Sequence, residues 1–462
     1  MAKTNKHSST VFICQQCGKE SLKWLGRCPN CQEWNTFIET KVTTPTTSLS
    51  TSPVSPPQEL SQVATDTQDR FPIPLAEFNR VLGGGVVTGS LTLIAGEPGI
   101  GKSTLLLQAA HLITQIRGNV VYISGEETLR QIKLRAERLS MKGDKLYLLT
   151  ETNLEIILSQ LEQLAPSLVV VDSIQTVYLP ELDTTAGSVT QVRESTLRLM
   201  RWAKLSATPV FIAGHVTKDG AIAGPRVLEH IVDIVLYLEG EPFSAYRLLR
   251  CTKNRFGATN EVGVFEMRKE GLLEVADPSQ ALLSRRLIQA VGSVVVPTLE
   301  GSRPLLVEIQ ALTNSTSFGL PRRTANGVDF GRLLLTTAVL SRRVGLKLGN
   351  QDIIANVTGG LKIGEPAADL GLALAIASSY RDMVVDPGLV AVGEVGLSGE
   401  LRAVSQLERR VSEAARLGFK CCLVPKVGAK VSGKGIELIT ASTLKEAIGV
   451  GLVKSSSQPA SG

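Results

Sequence analysis

From Phe71 onward the apolar positions gather into short runs: LTLIAG, VVYISG, KLYLLT, LVVVD, PVFIAG, DIVLYLEG, YRLLRCTK and VGVFEM. Such runs are too continuously apolar to leave one face in water, and glycine or polar residues bound most of them. Amphipathic stretches lie between the early runs, with helices predicted from Lys102 and from Glu127. Buried strands alternating with helices predict a mainly parallel sheet covered on both faces, an α/β unit. After Val275 the pattern changes. Strand-like AVGSVVVPTL and PLLVEIQAL precede the helical GRLLLTTAVLSRRVG, the strand-like DIIANVTG and the small-residue helix ADLGLALAIASSY, which predicts a separate α+β domain. Ahead of Phe71, KVTTPTTSLSTSPVSPPQELSQVATDTQ holds Thr, Ser and Pro and almost no large apolar side chain, so it reads as a linker. The expected division is a cysteine-rich module at 10–40, a flexible linker at 41–70, the α/β unit at 71–275, the α+β unit at 276–453 and a frayed tail at 454–462.

A chain of 462 residues has room for about three folding units. Its 43% hydrophobic and 20% charged residues exclude a disordered or fibrous class. No apolar stretch reaches the ~18 residues needed to cross a bilayer, and MAKTNKHSST lacks the apolar core of a secretory signal. The expectation is a cytoplasmic protein with no membrane partner. The net charge of +6 arises in the C-terminal part, where residues 280–350 carry nine basic and three acidic side chains. A local excess of that kind points to a polyanion, with a solvated surface as the alternative.

Four of the seven cysteines form two CxxC pairs, Cys14 with Cys17 and Cys28 with Cys31. Each pair makes a tight knuckle, and two knuckles complete the tetrahedral thiolate shell of Zn²⁺. With all four positions supplied by protein the zinc is structural, and no thioredoxin-like pattern surrounds either pair. Trp24 and Trp34 are expected to pack on this small core. Cys251, Cys421 and Cys422 lie among apolar neighbours and read as reduced core thiols.

The segment Gly96-Glu97-Pro98-Gly99-Ile100-Gly101-Lys102-Ser103-Thr104 follows a predicted strand and opens a predicted helix. Glycines let the loop wrap a phosphate chain, backbone N–H groups and the helix N-terminus meet its charge, Lys102 reaches the β/γ-phosphates and Ser103 ligates Mg²⁺. The expected ligand is ATP. Asp172, at the end of LVVVD, supplies the acidic partner for Mg²⁺. Hydrolysis also needs a group to activate water, and Glu126 or Glu127 follows the strand VVYISG, with Glu126 preferred and helix capping as the other reading, particularly for Glu127.

The loop together with YISGEE, VVVDSIQT, Gly214-His215-Val216-Thr217-Lys218, Lys253-Asn254-Arg255-Phe256-Gly257 and the four-cysteine block resembles the bacterial RadA/Sms family of DNA-repair proteins, over nearly the whole chain. The resemblance implies a RecA-like P-loop ATPase core, a homo-hexameric ring with ATP between subunits, Glu126 as catalytic glutamate and His215 as γ-phosphate sensor, a turn histidine being the alternative. Lys253 and Arg255, two apart on a strand, project to one face and could reach a neighbour's nucleotide as an arginine finger does. Without the resemblance they read as exposed strand charges.

NVTGGLKIGEPAADLGLALAIAS and VAVGEVGLSGELRAVSQLERR resemble the proteolytic domain of the Lon family, whose Ser nucleophile is activated by a Lys. Those two positions fall on Ala367 and Glu408, so the domain is expected to be proteolytically inactive. Arg285-Arg286, Arg322-Arg323, Arg342-Arg343 and Lys347 are its candidate DNA-phosphate contacts. The function implied is a DNA-dependent ATPase and branch-migration helicase acting on single-stranded and branched DNA with the RecA recombinase, in homologous recombination, DNA repair and the stress response to DNA damage. A Lon-like ATP-dependent protease and a non-motor, ATP-switched adaptor are the alternatives.

Overall fold

A computed structural model describes residues 8–14, 19–43, 59–62, 70–215, 225–240, 244–259, 261–284, 286–316, 319–426 and 435–453. Cys17, Arg285, Val216, Thr217, Lys218, most of the expected linker and the tail at 454–462 lie outside the described residues. Two compact units divide the chain: Met1–Glu239 with Arg247–Glu274, and Gly240–Tyr246 with Val275–Gly462.

At the N-terminus β1 (Ser8–Cys14) is the middle strand of a three-stranded antiparallel sheet, between β2 (Glu20–Ser21) and β3 (Phe37–Thr43). The β1–β3 ladder extends to the pair Ser8 and Thr43, so strand pairing carries this module past residues 10 and 40 into the expected linker. Further on, β4 (Arg70–Phe71) and β5 (Val86–Val87) pair across α1 (Ala76–Leu82).

The predicted apolar runs become β6 (Leu91–Gly96), β7 (Val120–Ser124), β8 (Leu146–Leu149), β9 (Leu168–Asp172), β10 (Val210–His215), β11 (Ile234–Glu239), β12 (Tyr246–Asn254) and β13 (Val262–Arg268), with β14 (Gly271–Glu274) added. They form one nine-stranded sheet in the order β14-β13-β12-β11-β6-β10-β9-β7-β8. The six strands from β11 to β8 in that order pair in parallel, and the β11–β12 and β13–β14 pairs are antiparallel. Alternation along each strand sends Ile94, Tyr122, Val170 and Phe211 to a core shared with α2 (Lys102–Arg117) and α3 (Leu129–Arg138). Leu93, Val121, Val169 and Ile212 meet α4 (Leu154–Leu164) and α5 (Val189–Ser206) on the other face. Burial on both sides is why these runs lack a polar alternation. The helix expected from Glu127 starts at Leu129, because Thr128 is its N-cap and closes a capping box with Gln131. A short α6 (Pro225–Glu229) precedes β11.

The second unit is built on a seven-stranded sheet, edge to edge Arg323–Asn326, Gln351–Val357, Arg303–Ser315, Ser293–Glu300, Leu389–Ala391, Cys421–Pro425 and Glu437–Ala441. Its helices are α7 (Pro278–Leu283), α8 (Phe330–Val339), α9 (Asp369–Arg381), α10 (Leu407–Arg416) and α11 (Leu444–Gly451). The small residues of α9 let the helix press against the sheet: a Cβ on Gly371 would lie 2.2 Å from Val296 Cγ2. Every residue from Asp369 to Ser378 is buried.

At the Lon-like positions, Ala367 is buried in a 3₁₀ turn, whereas Glu408 is exposed in the first turn of α10. Two residues further, Arg410 is completely buried. Its guanidinium donates to both carboxylate oxygens of Glu365, at 2.7 and 2.6 Å, and to the carbonyl of Pro297 at 2.8 Å. Burial alone would raise the Glu365 pKa, but the bonds from Arg410 outweigh it and hold this carboxyl below its usual range. Arg410→Ala would strand that carboxylate, at a cost of roughly 3–5 kcal/mol. Thermal denaturation should show the C-terminal unit melting about 10 °C lower; an unchanged melting point would mean that the pair contributes no net stability.

Candidate functional site

The phosphate loop leaves β6 at the centre of the parallel sheet and enters α2. Two of its glycines are required sterically. A Cβ on Gly96 would lie 2.5 Å from the Leu238 carbonyl oxygen, and Gly101 caps α2 with φ +116°. Lys102 is buried, and its ammonium donates to the carbonyls of Gly96 and Glu97, both at 2.9 Å. Desolvation lowers its pKa, opposed by the charges of Asp172 and Glu126.

A cavity of about 370 Å³ opens over this loop. Pro98, Gly99, Gly101, Lys102, Ser103 and Thr104 line it from the loop side, with Glu126, Glu127, Asp172 and His215 from the ends of β7, β9 and β10. The Ile100 side chain is buried instead, and the Glu97 side chain is exposed outside the lining. Asp172 accepts a short hydrogen bond from the Tyr122 hydroxyl. Burial first, and then the charge of Asp172, push the Tyr122 phenol well above its ordinary pKa, so it remains a donor.

The two adjacent glutamates have different surroundings. Glu126 Oε1 accepts from Ser173 Oγ at 2.6 Å and lies 3.3 Å from His215 Nε2. Glu127 is ion-paired with Arg135 of α3, while its backbone N–H donates to Ser124 Oγ at 3.1 Å. Helix capping belongs to Thr128, so the capping role considered for Glu127 is not the one found. Sequence reading missed Ser173, Arg135 and Arg138, the last two of which line the cavity. Arg135 and Arg138, three apart on one face of α3, were the available signal.

Lys253 and Arg255 lie elsewhere. Register places Val235 opposite Lys253 and Ile234 opposite both Asn254 and Thr92, at the start of β6. Gly96 is four residues further along, about 13 Å at strand rise. Lys253 Nζ donates to the carbonyls of Glu229 and Val232, at 2.5 and 2.8 Å. Burial, then Arg255, lower its pKa. Arg255 pairs at 3.2 Å with Asp233, a buried carboxylate that also accepts from Lys204 at 2.7 Å and from the Leu91 N–H at 3.0 Å. Thus Lys253 is not the free strand charge of the bland reading. Neither cation lines its own phosphate cavity.

In the N-terminal module Cys14, Cys28 and Cys31 bring their sulfurs within 4.8 Å of one another, with Cys14 and Cys31 at 3.6 Å. Tetrahedral thiolates on zinc require S···S separations of roughly 3.8 Å, so this donor set fits the ion. Phe37, Phe12 and Leu25 pack around the sulfurs. The tryptophans do not: Trp24 is 53% and Trp34 67% exposed, since the sulfurs and Phe37 already fill so small an interior. Cys251 and Cys422 are buried free thiols whose pKa burial pushes up to about 11 and about 12, as expected of inert core cysteines.

The basic candidates also separate. Arg286 is not a free phosphate contact: its guanidinium is half-buried over the Phe419 ring, 5.9 Å from the centroid, and donates to the Pro387 carbonyl at 3.4 Å. Arg323 is likewise turned inward, donating to the carbonyls of Gln351 and Leu348. Arg322, Arg342, Arg343 and Lys347 are exposed.

Comparison with known proteins adds to this geometry. The rubredoxin metal binding domain family matches residues 12–39, the AAA domain family 55–221, and the family of the ChlI subunit of Mg-chelatase 316–428. The DNA repair protein RadA of Bacillus subtilis (strain 168) is 51% identical over 97% of this chain and 99% of its own length. The chain belongs to the RadA family of DNA-repair proteins. RadA of Listeria monocytogenes is also 51% identical, over 97% of this chain and 99% of that one. A solved KaiC-like protein from Pyrococcus horikoshii OT3 overlaps 45% of this chain and 98% of its own, at 20% identity and a TM-score of 0.37. By its family matches and its sheet order, this RadA-family chain joins a zinc ribbon, a P-loop ATPase domain of RecA-like α/β architecture and a C-terminal Lon-like α+β domain. No helix among the described residues is long and apolar enough to cross a membrane.

Cys28→Ser should abolish stoichiometric zinc, read by a chromogenic chelator assay, while the far-ultraviolet circular dichroism of the ATPase domain persists. Retained zinc would show that Cys28 is not a ligand.

Proposed function

We propose that this protein is a DNA-dependent ATPase and branch-migration helicase, which works as a cytoplasmic hexameric ring on single-stranded and branched DNA alongside the RecA recombinase. Within each subunit the loop from Gly96 to Thr104 binds the triphosphate of ATP, and Lys102 leaves the loop carbonyls to meet the β/γ-phosphates. Ser103 and Asp172 would hold Mg²⁺, which supplies charge neutralisation on the phosphate oxygens. Glu126 takes the proton of the attacking water, held through Oε1 by Ser173 with its other oxygen free. His215, bridging Glu126 and the end of β10, senses the γ-phosphate. Glu127 is a poorer base because Arg135 already holds its charge.

The main support is the placement of Lys253 and Arg255 at the sheet end opposite their own phosphate loop. Cations so placed cannot serve the nucleotide of their own subunit, but they can complete a neighbour's site, stabilising charge on the transferring phosphoryl group. Turnover then requires assembly. The C-terminal domain is an inactive relative of the Lon protease, since Ala367 has no nucleophilic oxygen. Arg322, Arg342, Arg343 and Lys347 hold DNA phosphates without reading sequence.

Single-stranded DNA should raise the ATPase rate of the wild type, and both Lys102→Ala and Lys253→Ala should be nearly inactive alone. Mixing the two variants discriminates: a Lys102-intact loop facing a Lys253-intact neighbour should recover a measurable share of activity. An unrecovered mixture removes the shared-site mechanism, and a rate indifferent to DNA favours the adaptor.

Arg342→Ala with Arg343→Ala should weaken DNA binding and reduce the slope of log affinity against log salt by about one to two. An unchanged slope would exclude both from phosphate contact.

A further inference from the structure

The zinc ribbon displays two indoles that its own core does not use. Trp24 is 53% and Trp34 67% exposed, and they flank Gly26: a Cβ placed there would lie 3.7 Å from the Trp24 ring and 4.0 Å from that of Trp34. The two rings are therefore neighbours on one surface of the module. Both are held in place. Trp24 Nε1 donates to the Phe37 carbonyl at 3.2 Å, fixing its plane against β3. Trp34 is bridged to Arg27 in an isolated antiparallel pair, and the Arg27 guanidinium lies 5.7 Å from its ring centroid. Arg27 is itself tied at 2.8 and 3.0 Å to Gln32, through the backbone carbonyl and the side-chain oxygen.

Those acceptors are neutral, and among the described residues no carboxylate is ion-paired with Arg27, which lies beside an exposed indole. From Lys19 to Glu39 the module carries Lys19, Lys23 and Arg27 against Glu20, Glu33 and Glu39, and of these Lys23 adjoins Trp24 in sequence while Arg27 lies over the Trp34 ring. Exposed, fixed indoles, one with a guanidinium stacked over one of its faces, suit a ligand that is flat, aromatic and anionic. Unstacked nucleobases on a phosphodiester chain have that chemistry. A duplex does not, since its bases present only their edges. We propose that Trp24 and Trp34, with Arg27 and Lys23, form a stacking platform for single-stranded DNA, a contact separate from the ATPase and Lon-like domains. It rests on the DNA-motor reading and adds to it a place where unpaired strand is held.

The experiment uses full-length, zinc-loaded protein and a fluorescein-labelled oligothymidine of about 20 nucleotides. Each stacked base is worth roughly a five- to 150-fold change in affinity. Trp24→Ala with Trp34→Ala should therefore weaken oligothymidine binding at least tenfold while zinc content and DNA-free ATP hydrolysis stay at wild-type values. Trp24→Phe with Trp34→Phe, which keeps aromatic faces, should stay within about threefold of wild type. In a Trp202→Phe background the remaining indole fluorescence should be quenched by oligothymidine. Absence of quenching, or wild-type affinity in the double alanine variant, overturns the platform and leaves the motor reading intact. Loss of affinity for a protein partner with DNA affinity unchanged also overturns it. If the wild type binds no oligothymidine at all, it is the motor reading that fails, and the platform with it.

Discussion

Everything in the ATPase domain depends on how closely β6 can be approached by its neighbours. The phosphate loop springs from a strand paired on both sides, with β10 and β11, and Gly96 at its end has no space for a side chain against the Leu238 carbonyl. A loop so anchored keeps its N–H groups in place, which is what binding a chain of phosphate charges requires. At the other end of β6 the buried Asp233 performs a comparable service. It takes the Leu91 N–H, Lys204 and Arg255 together, so the start of the central strand and the basic segment after β12 are held by one carboxylate. The two ends of one strand are thus fixed by different means, a glycine with no room for a side chain at one and a buried carboxylate at the other.

A second constraint follows from placing two glutamates side by side at the cavity. Two free carboxylates facing one phosphate chain would add to its repulsion. The fold resolves this by giving Glu127 a guanidinium partner and leaving Glu126 with hydrogen bonds from Ser173 and His215. The capping box at Thr128 fixes where α3 begins and so sets which glutamate points at Arg135.

Much of this was legible in the sequence because burial on both faces writes itself as uninterrupted apolar runs. All eight runs became strands of one sheet, and the phosphate loop lay where its strand-loop-helix setting put it. What was not legible depended on contacts between distant segments. The Glu127–Arg135 pair needed knowledge of where α3 starts, and Ser173 reaches Glu126 only because β7 and β9 are adjacent. Arg286 and Arg323 looked like free cations in sequence but turn toward carbonyls and an aromatic ring, since a doublet says nothing about which member faces inward. The tryptophans were misjudged from volume: three sulfurs and one phenylalanine leave no interior for two indoles.

The C-terminal unit is organised around one buried charge pair. Near the turn that carries Ala367, the structure has a fully buried arginine bonded to Glu365, and Glu365 in turn accepts from the Thr298 hydroxyl at 2.7 Å and the Leu299 N–H at 2.9 Å. A catalytic lysine has to be held unprotonated, which calls for an apolar setting. A carboxylate with four donors is the opposite environment, and it favours charge over reactivity. Through Glu365 and the Pro297 carbonyl, Arg410 ties α10 to the sheet. In this domain the buried ion pair serves rigidity, since every oxygen and nitrogen in it that is turned inward has a partner holding it.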